Sequence, residues 1–324
     1  MPRSGSRRHP GRIALAAVLG GAAAGVVVPD HLRIDHRFPI VDMVAWRPQA
    51  SVLALGGAGL LGLARATRPA AAAVGAVGLA GLASVAGRAL RRRRPEPVGE
   101  PVTILSANVL VGRGDTGALA AVIARERPDV VVLPEAGPDF RDKLVPMLGE
   151  TDYRSWTSTA PGTDDGRGVT VLVSGRAGDV AVVADHAMRL RHLEVSGGIL
   201  GRRRLFAVHT SAPVQPRFTT AWCREMDVIR GWTTGPVAPL VVGDLNATLD
   251  HSRLRAALGR CRSAAEGTGL GLVGTYPSSA PRWFGIQIDH VLVPRDAVTA
   301  RFEVLDLPGT DHRAVLTTVH LPPG

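Results

Sequence analysis

The chain has 324 residues, of which 45% are hydrophobic and only 4% aromatic, and its formal net charge is +10. The basic excess lies in residues 1–98, which hold 14 arginines and four acidic residues, whereas the remaining residues hold 24 basic and 24 acidic side chains. A neutral C-terminal region has no overall field to attract a nucleic acid, and the absence of a CxxC pair or Cys/His cluster argues against zinc.

Three uncharged apolar runs follow an arginine-rich N-terminus, at residues 13–28, 48–64 and 69–87. Each is close to the ~20 residues that a helix needs to cross ~30 Å of hydrocarbon. Their many Ala and Gly residues make each run weakly apolar but allow close helix packing in lipid. We therefore predict a membrane anchor of three transmembrane helices in residues 1–94. The same runs are also compatible with a signal-like first segment, or with a hairpin of the last two runs alone.

The arginines give conflicting indications of orientation. The N-terminal cluster and the turn with Arg65 and Arg68 favour one side of the membrane, which after three crossings puts the C-terminal domain outside the cytoplasm. Arg88 and Arg91–Arg94 would then lie outside the cytoplasm, although basic residues tend to stay on the cytoplasmic side of a membrane. We predict a multi-pass protein of the cell membrane with an extracytoplasmic domain, and we interpret the RRRR run as a clamp on anionic lipid headgroups.

Residues 95–101 (PEPVGEP) predict a stiff linker, and residues 102–324 predict one domain with a large core. Short β-branched runs alternate there with amphipathic segments, which indicates an α/β or α+β fold. Strands are predicted at 102–108, 130–133, 169–174, 205–209, 240–242 and 288–293. Helices are predicted at 117–126, 217–232 and 252–258, with Trp222 and Trp232 in the core. Cys223 and Cys261 could pair in an exported domain, but two buried thiols are the favoured interpretation.

Polar residues stand where the apolar strands of this domain end or are interrupted. Singly, each has an ordinary explanation, because Asp or Asn after a strand is often a turn residue or helix cap and a lone His is usually structural. A carboxylate directly after VVVL, or inside IQIDHVLV, is harder to dismiss because a buried charge needs a partner or a metal. Strand ends hold such groups rigidly on one face. The residues are Asn108, Glu135, His209, Asp244, Asn246, Asp289, Asp311 and His312.

The order of these motifs along the chain is SAN, LPE, VHTSAP, GDLN, IDHV and GTDH. It resembles the endonuclease/exonuclease/phosphatase superfamily, which includes DNase I-like nucleases, inositol-phosphate phosphatases and neutral sphingomyelinases. With apolar runs before such a domain, the layout of the chain is similar to that of the bacterial membrane-anchored subgroup linked to teicoplanin resistance, whose members have N-terminal membrane helices. The resemblance implies a two-sheet β-sandwich flanked by helices, the four-layer DNase I-like fold. One departure is Pro134, where the motif usually reads L-Q-E; the glutamate itself is retained.

The resemblance also implies how the predicted residues would act. Asn108 and Glu135 would hold a catalytic Mg²⁺ or Mn²⁺, with Asp311 near it. His312 would contact the scissile phosphate and be oriented by Asp289. Hard oxygen ligands without thiolates suit Mg²⁺ or Mn²⁺ better than zinc.

Three further residues complete this predicted site. Asp244 would position or deprotonate the attacking water, Asn246 would hold phosphate oxygens, and His209 would be a phosphate ligand or proton donor. A carboxylate near the water and an imidazole near the leaving oxygen are suited to general base and acid catalysis.

The sequence therefore predicts a membrane-anchored, metal-dependent phosphoesterase acting on a lipid-linked (pyro)phosphate such as undecaprenyl pyrophosphate, with the bilayer and a phosphorylated lipid as partners. A nuclease would require a basic, aromatic-studded groove, and the only basic run of the domain, Arg202–Arg204, is interpreted as a solvated turn. The sequence is also compatible with a sphingomyelinase-like phosphodiesterase or a non-catalytic binding module. Trp283 and Phe284 could line the substrate entrance, enter the membrane interface or pack in the core.

Overall fold

The computed structural model describes residues 10–93, 95–149, 152–159 and 162–322. The N-terminal arginine cluster before residue 10, and Arg94 of the RRRR run, lie outside the described residues. The chain divides into two compact units, residues 1–87 and residues 88–324. Each unit has its own internal packing and is described separately.

The first unit consists of helices in its described part: α1 (Pro10–Val27), α2 (Ile40–Val44), α3 (Arg47–Gly62) and α4 (Arg68–Ala86). Helix α4 packs against both α1 and α3. Glycine makes this approach possible, because a Cβ added at Gly81 would lie 2.4 Å from a methyl carbon of Val27 and one at Gly78 would lie 2.9 Å from Leu55 Cγ. Small residues at helix contacts are typical of packing in lipid.

Two helices of this unit, Pro10–Val27 and Arg68–Ala89, are long and apolar enough to cross a membrane by length and composition. Helix α3 has 16 residues, fewer than the roughly 17 of a short transmembrane helix. Signal sequences and core helices of soluble proteins can share these properties. The anchor of three spans therefore stays a prediction.

The second unit is a sandwich of two six-stranded mixed sheets. The first sheet contains β1 (Pro101–Ser106), β2 (Val130–Pro134), β3 (Tyr153–Ser158), β4 (Val169–Ser174), β11 (Val298–Leu305) and β12 (Ala314–His320). The second contains β5 (Val180–Asp185), β6 (His192–Gly197), β7 (Arg204–His209), β8 (Leu240–Asp244), β9 (Cys261–Ser263) and β10 (Asp289–Pro294). The strand order is β11-β12-β1-β2-β4-β3 in the first sheet and β5-β6-β7-β8-β10-β9 in the second.

Buried side chains from both sheets, many of them β-branched, form the central core. A strand that is covered on both faces is expected to be a continuous apolar run, as β2 (VVVLP) is. The remaining helices are α5 (Thr116–Glu126), α6 (Pro138–Leu144), α7 (Pro216–Thr233) and α8 (Ser252–Ala257). A second apolar cluster joins α5 and α6 to the first sheet. Trp222 of α7 is fully buried and donates from Nε1 to the Leu245 carbonyl, 3.1 Å away. This arrangement confirms the predicted helix-flanked sandwich. Cys261 is buried and Cys223 half-buried, and within the described part of the chain neither forms a disulfide.

The strand directions bring several chain segments to one end of the sandwich. Strands β1 and β2 are parallel, as are β7 and β8, so each pair ends on the same side. Strand β10 runs antiparallel to β8 and begins there, with Asp289 opposite Asp244. Strand β12 runs antiparallel to β1 and also begins at this end. Side chains near the last residues of β1, β2, β7 and β8 therefore meet side chains near the first residues of β10 and β12 at one end of the sandwich.

Candidate active site

All eight predicted residues belong to one network of contacts at this end of the sandwich. The side-chain amide of Asn108 is its centre. Nδ2 donates to Oε1 of Glu135 at 3.0 Å and to Oδ2 of Asp244 at 3.1 Å. One amide thus joins the loop after β2 in the first sheet to the end of β8 in the second.

The chain around Asn108 and Glu135 is locally strained. Glu135 has φ +60°, and Val111, whose N–H donates to Oε2 of Glu135 at 2.8 Å, has φ +52°. Positive φ is uncommon for residues other than glycine and unfavourable for a β-branched side chain. Such conformations concentrate at functional sites, where the surrounding packing maintains them.

The imidazole of His312 is held between acidic groups. Its Nδ1 lies 2.9 Å from Oδ2 of Asp289, and its Nε2 lies 3.8 Å from Oδ2 of Asp244 and 3.9 Å from Oδ1 of Asp311. Burial alone would lower the pKa of His312, but the facing carboxylates raise it well above its ordinary value. The raised pKa favours the protonated ring, which could donate a proton from Nε2 at the centre of the site.

Asp244 stands among groups of both charges. Burial, with repulsion from Asp289, raises the pKa of Asp244, while His312 and His209 oppose the rise. Nε2 of His209 lies 4.0 Å from Oδ2 of Asp244 and 3.6 Å from Oε1 of Glu135. A carboxylate with a raised pKa is better suited to accept a proton near neutral pH than an ordinary one.

Asn246 is held by Asp244, two residues before it, and by Thr210, which directly follows strand β7. Its backbone N–H donates to Oδ1 of Asp244 at 2.8 Å, and its Nδ2 donates to the Thr210 carbonyl at 2.9 Å. Asn246 also has a left-handed backbone, with φ +45°. Among the described residues, Asn246 makes one side-chain hydrogen bond through Nδ2, which leaves its second amide N–H and its Oδ1 for a ligand.

The donor chemistry of the site fits a hard divalent cation. Four carboxylates (Glu135, Asp244, Asp289 and Asp311) converge with two imidazoles, and one oxygen each of Asp289 and Asp311 is buried without a hydrogen-bond partner among the described residues. Such a concentration of like charge is unfavourable unless a cation offsets it. One group with ligand atoms within 4.8 Å of one another comprises Asp244, Asp289 and His312. Asp289 and His312 of this group are hydrogen-bonded to each other, as are Asn108 and Glu135 of the predicted set, whose third member is Asp311.

Three residues of the site were not predicted from the sequence. Thr310 donates to the Asn108 carbonyl at 2.8 Å and accepts from the His312 N–H at 3.2 Å, which ties the two loops together. Thr275 accepts from the Asp289 N–H at 3.2 Å, and the ring of Tyr276 lies 5.0 Å from that of His312. Tyr276 and Thr275 lie in an irregular loop, where no periodic sequence pattern marks them. Of the three residues, Thr310 was the one that the sequence could have indicated, because it lies in the GTDH motif.

The sequence matches a model of the Endonuclease/Exonuclease/phosphatase family over residues 105–312. That segment begins within β1 and ends at His312, so it contains all eight predicted residues. Among curated proteins, none matches the chain.

Several solved structures share the architecture of the second unit. An endonuclease/exonuclease/phosphatase from Beutenbergia cavernae is 18% identical with a TM-score of 0.51, covering 71% of this chain and 72% of that one. Truncated Caenorhabditis elegans TDP2 is 20% identical with a TM-score of 0.52, and the match covers 70% of this chain and 100% of that one. A mannosyl-6-phosphatase of Bacteroides thetaiotaomicron is 13% identical with a TM-score of 0.51, and the match covers 68% of this chain and 100% of that one. Identities this low establish the shared fold alone.

Proposed function

Because the chain belongs to the endonuclease/exonuclease/phosphatase family, whose members hydrolyse phosphoester bonds, we propose that it is a membrane-anchored, divalent-metal-dependent phosphoesterase acting on a lipid-linked pyrophosphate of the cell envelope. Undecaprenyl pyrophosphate is the substrate that the resemblance to the teicoplanin-resistance subgroup suggests. The observation that carries the hydrolase assignment is the single network joining Asn108, Glu135, Asp244 and His312.

The proposed reaction is attack of water on a phosphorus atom. Asp244 accepts a proton from the attacking water as the new P–O bond forms, and His312 donates a proton from Nε2 to the leaving oxygen as the old bond breaks. Asp289 keeps the His312 ring oriented through Nδ1, and Asn246 and His209 bind phosphate oxygens. Asn108, Glu135 and Asp311 would hold Mg²⁺ or Mn²⁺, which supplies charge neutralisation of the phosphoryl group.

The lipid-linked substrate is supported by the composition of the first unit. Its helices expose large apolar side chains such as Val18, Leu53, Leu60 and Leu79. Only 6% of the apolar window of α1 is buried, which is unlike a helix in the core of a soluble protein. Such a helix is suited to lipid, and a membrane-bound enzyme meets lipid-borne phosphates at high local concentration.

Nucleic acid is the less suitable substrate. The excess of basic residues belongs to residues 1–98, and residues 99–324 carry equal numbers of basic and acidic side chains. Nucleic-acid affinity depends on cations that neutralise backbone phosphates. Residues 99–324, which carry all eight predicted site residues, lack that net attraction.

The test compares two substrates with one preparation of the full chain. Phosphate release from a prenyl pyrophosphate in the presence of Mg²⁺ is measured beside nicking of supercoiled plasmid. Phosphate release without nicking supports the proposal, and nicking alone contradicts it. If neither activity occurs with Mg²⁺ or Mn²⁺, a binding module is favoured instead. Asp179→Ala, which changes a fully exposed carboxylate, is the matched control for active-site variants.

We also propose that the catalytic unit is extracytoplasmic, from the arginines at the N-terminus and at Arg65 and Arg68. Protease added to intact cells should then digest residues 88–324. Digestion only after lysis would exclude an external substrate.

A further inference from the structure

Two aromatic side chains in the loop that precedes strand β10 are exposed to solvent. Trp283 is 78% exposed and Phe284 is 42% exposed, and their rings meet edge to face with centroids 5.8 Å apart. Among the described residues of the second unit, Trp283 is the most exposed large apolar side chain. The core-packing interpretation of these residues is therefore wrong. Exposed pairs of this kind mark surfaces that contact an apolar partner.

The segment that carries them, residues 276–286, is a closed loop with a narrow neck. Tyr276 and Ile286 pair across the neck through backbone hydrogen bonds of 2.7 and 3.0 Å. The Gly274 N–H donates to the Arg282 carbonyl at 2.8 Å, and Gly274 approaches Gly285 so closely that a Cβ added at Gly274 would lie 2.5 Å from Gly285 Cα. We call residues 276–286 the aromatic loop.

The aromatic loop is attached directly to the catalytic residues. Arg313, which follows His312 and is buried, donates to the carbonyls of Ser278 and Ala280 at 2.7 and 2.6 Å. The Ser278 N–H donates to the Asp311 carbonyl at 2.7 Å. These bonds hold the base of the aromatic loop against the segment that carries Asp311 and His312.

Other exposed apolar side chains occur on loops that carry site residues. Val111 is exposed, and its N–H binds Glu135; Val214 is 55% exposed and lies five residues after His209. The loops that carry the polar, charged centre therefore also carry exposed apolar side chains. This combination matches an amphiphile that carries its phosphate on an apolar tail.

We propose that the aromatic loop is an interfacial loop, which inserts Trp283 and Phe284 into the surface of the bilayer that holds the substrate. This inference rests on the proposed function and names how its lipid is reached. The bilayer is preferred to a protein partner because the same chain carries helices of membrane-spanning length and composition. Tryptophan also favours the interface, where its ring is in an apolar layer and its N–H stays hydrated.

The binding test uses the full chain in vesicles of phosphatidylethanolamine and phosphatidylglycerol that contain doxyl-labelled lipids. The chain has five tryptophans, so the signal of Trp283 is the difference between the wild type and Trp283→Phe. That difference should be quenched by a label near the headgroups. Equal quenching of the two proteins would overturn the proposal. The quenching measurement needs no turnover, so it tests membrane insertion of Trp283 even if the proposed substrate is wrong.

The kinetic test separates interfacial binding from bracing of the active site. Trp283→Ala/Phe284→Ala should raise KM for a long-chain prenyl pyrophosphate in vesicles by about tenfold, which corresponds to the loss of one buried apolar side chain. Turnover of a water-soluble phosphoester should change less than twofold, and Trp283→Tyr should restore KM. Met147→Ala, which removes a side chain 55% exposed elsewhere, is the matched control. Equal losses on both substrates, or none on either, would contradict the interfacial role.

Discussion

Oδ2 of Asp289 lies 2.9 Å from Nδ1 of His312, and both side chains are buried. The carboxylate fixes the proton of the ring on Nδ1 or stabilises the doubly protonated cation, and it directs Nε2 at Asp244 and Asp311. Asp289 begins strand β10 and His312 lies in the turn before β12, so their pairing depends on the fold and not on sequence proximity.

The pairing predicts that Asp289→Asn lowers turnover while the protein stays folded. The amide keeps the shape of the side chain but loses the charge that holds His312 as a cation. We expect kcat to fall at least about 10²-fold, the low end for a positioned acid–base group. Steady-state kinetics and a thermal melt of the same sample measure both effects. Asp227→Asn, which changes an exposed ion pair with Arg253, is the control; wild-type-like turnover by Asp289→Asn would contradict the assignment.

Glu135→Ala and His312→Ala should each reduce turnover at least about 10²-fold. The first removes a predicted metal ligand, and the second removes the proton donor. Phosphate release under saturating substrate and Mg²⁺ is the measurement. If both variants turn over like the wild type, these residues are not the active site.

The strands that carry these residues were predictable because they are short, continuous and apolar. Val130–Pro134 and Leu240–Asp244 lie within one or two residues of their predicted bounds, and helix α7 begins and ends one residue outside its predicted range. Each is buried enough for hydrophobic pattern to determine its conformation. The order of the polar residues after them then indicated the family, which the match over residues 105–312 confirms.

The elements that were missed have weaker or conflicting patterns. Strand β3 (YRSWTS) carries polar residues and lies at an edge of its sheet, and β5 is an edge strand of the other sheet, with mostly exposed side chains. Strand β12 (AVLTTVH) has an evident β-branched pattern but was not assigned. Loop contacts such as Tyr276 beside His312 could not be predicted, because they depend on tertiary packing and not on local pattern.

Divalent metal should stabilise the protein through Asn108, Glu135 and Asp311. At about 100 times its Kd, a ligand that binds only the folded state adds about 2.7 kcal/mol of stability. We therefore expect Mg²⁺ to raise the unfolding temperature of the EDTA-treated wild type, and Glu135→Gln to abolish the rise. Asp289→Asn should retain it. The opposite pattern in calorimetry would assign the ion to the cluster of Asp244, Asp289 and His312.

Gly243 of the GDLN motif should not tolerate a side chain. Its φ is +140°, and a Cβ added there would lie 1.9 Å from the Val208 carbonyl oxygen in the neighbouring strand. Gly243→Ala should therefore lower the unfolding temperature and displace Asp244, reducing activity as well. The control is Gly231→Ala in helix α7, where an added Cβ meets nothing within 4 Å; it should be neutral or stabilise by up to about 1 kcal/mol. Similar effects of the two substitutions would contradict the steric argument.

His192 should make the protein less stable in acid. The ring is fully buried against Trp232, with centroids 4.8 Å apart, and neither ring nitrogen has a hydrogen-bond partner among the described residues. Burial lowers its pKa below the ordinary value of 6.5, although Asp185 partly opposes this. Between the folded and unfolded pKa values the unfolded chain binds more protons, so stability is present above pH 6.5 and is lost as the pH falls through that window.

The variant His192→Leu should lose less stability than the wild type between pH 7.5 and pH 5, by on the order of 1 kcal/mol. Some pH dependence should remain, because burial also lowers the pKa of His290. Thermal unfolding followed across this pH range measures the difference, and His186→Leu, which changes an exposed histidine, is the control. A parallel loss of stability in the wild type and His192→Leu would show that His192 is not the group that titrates on unfolding.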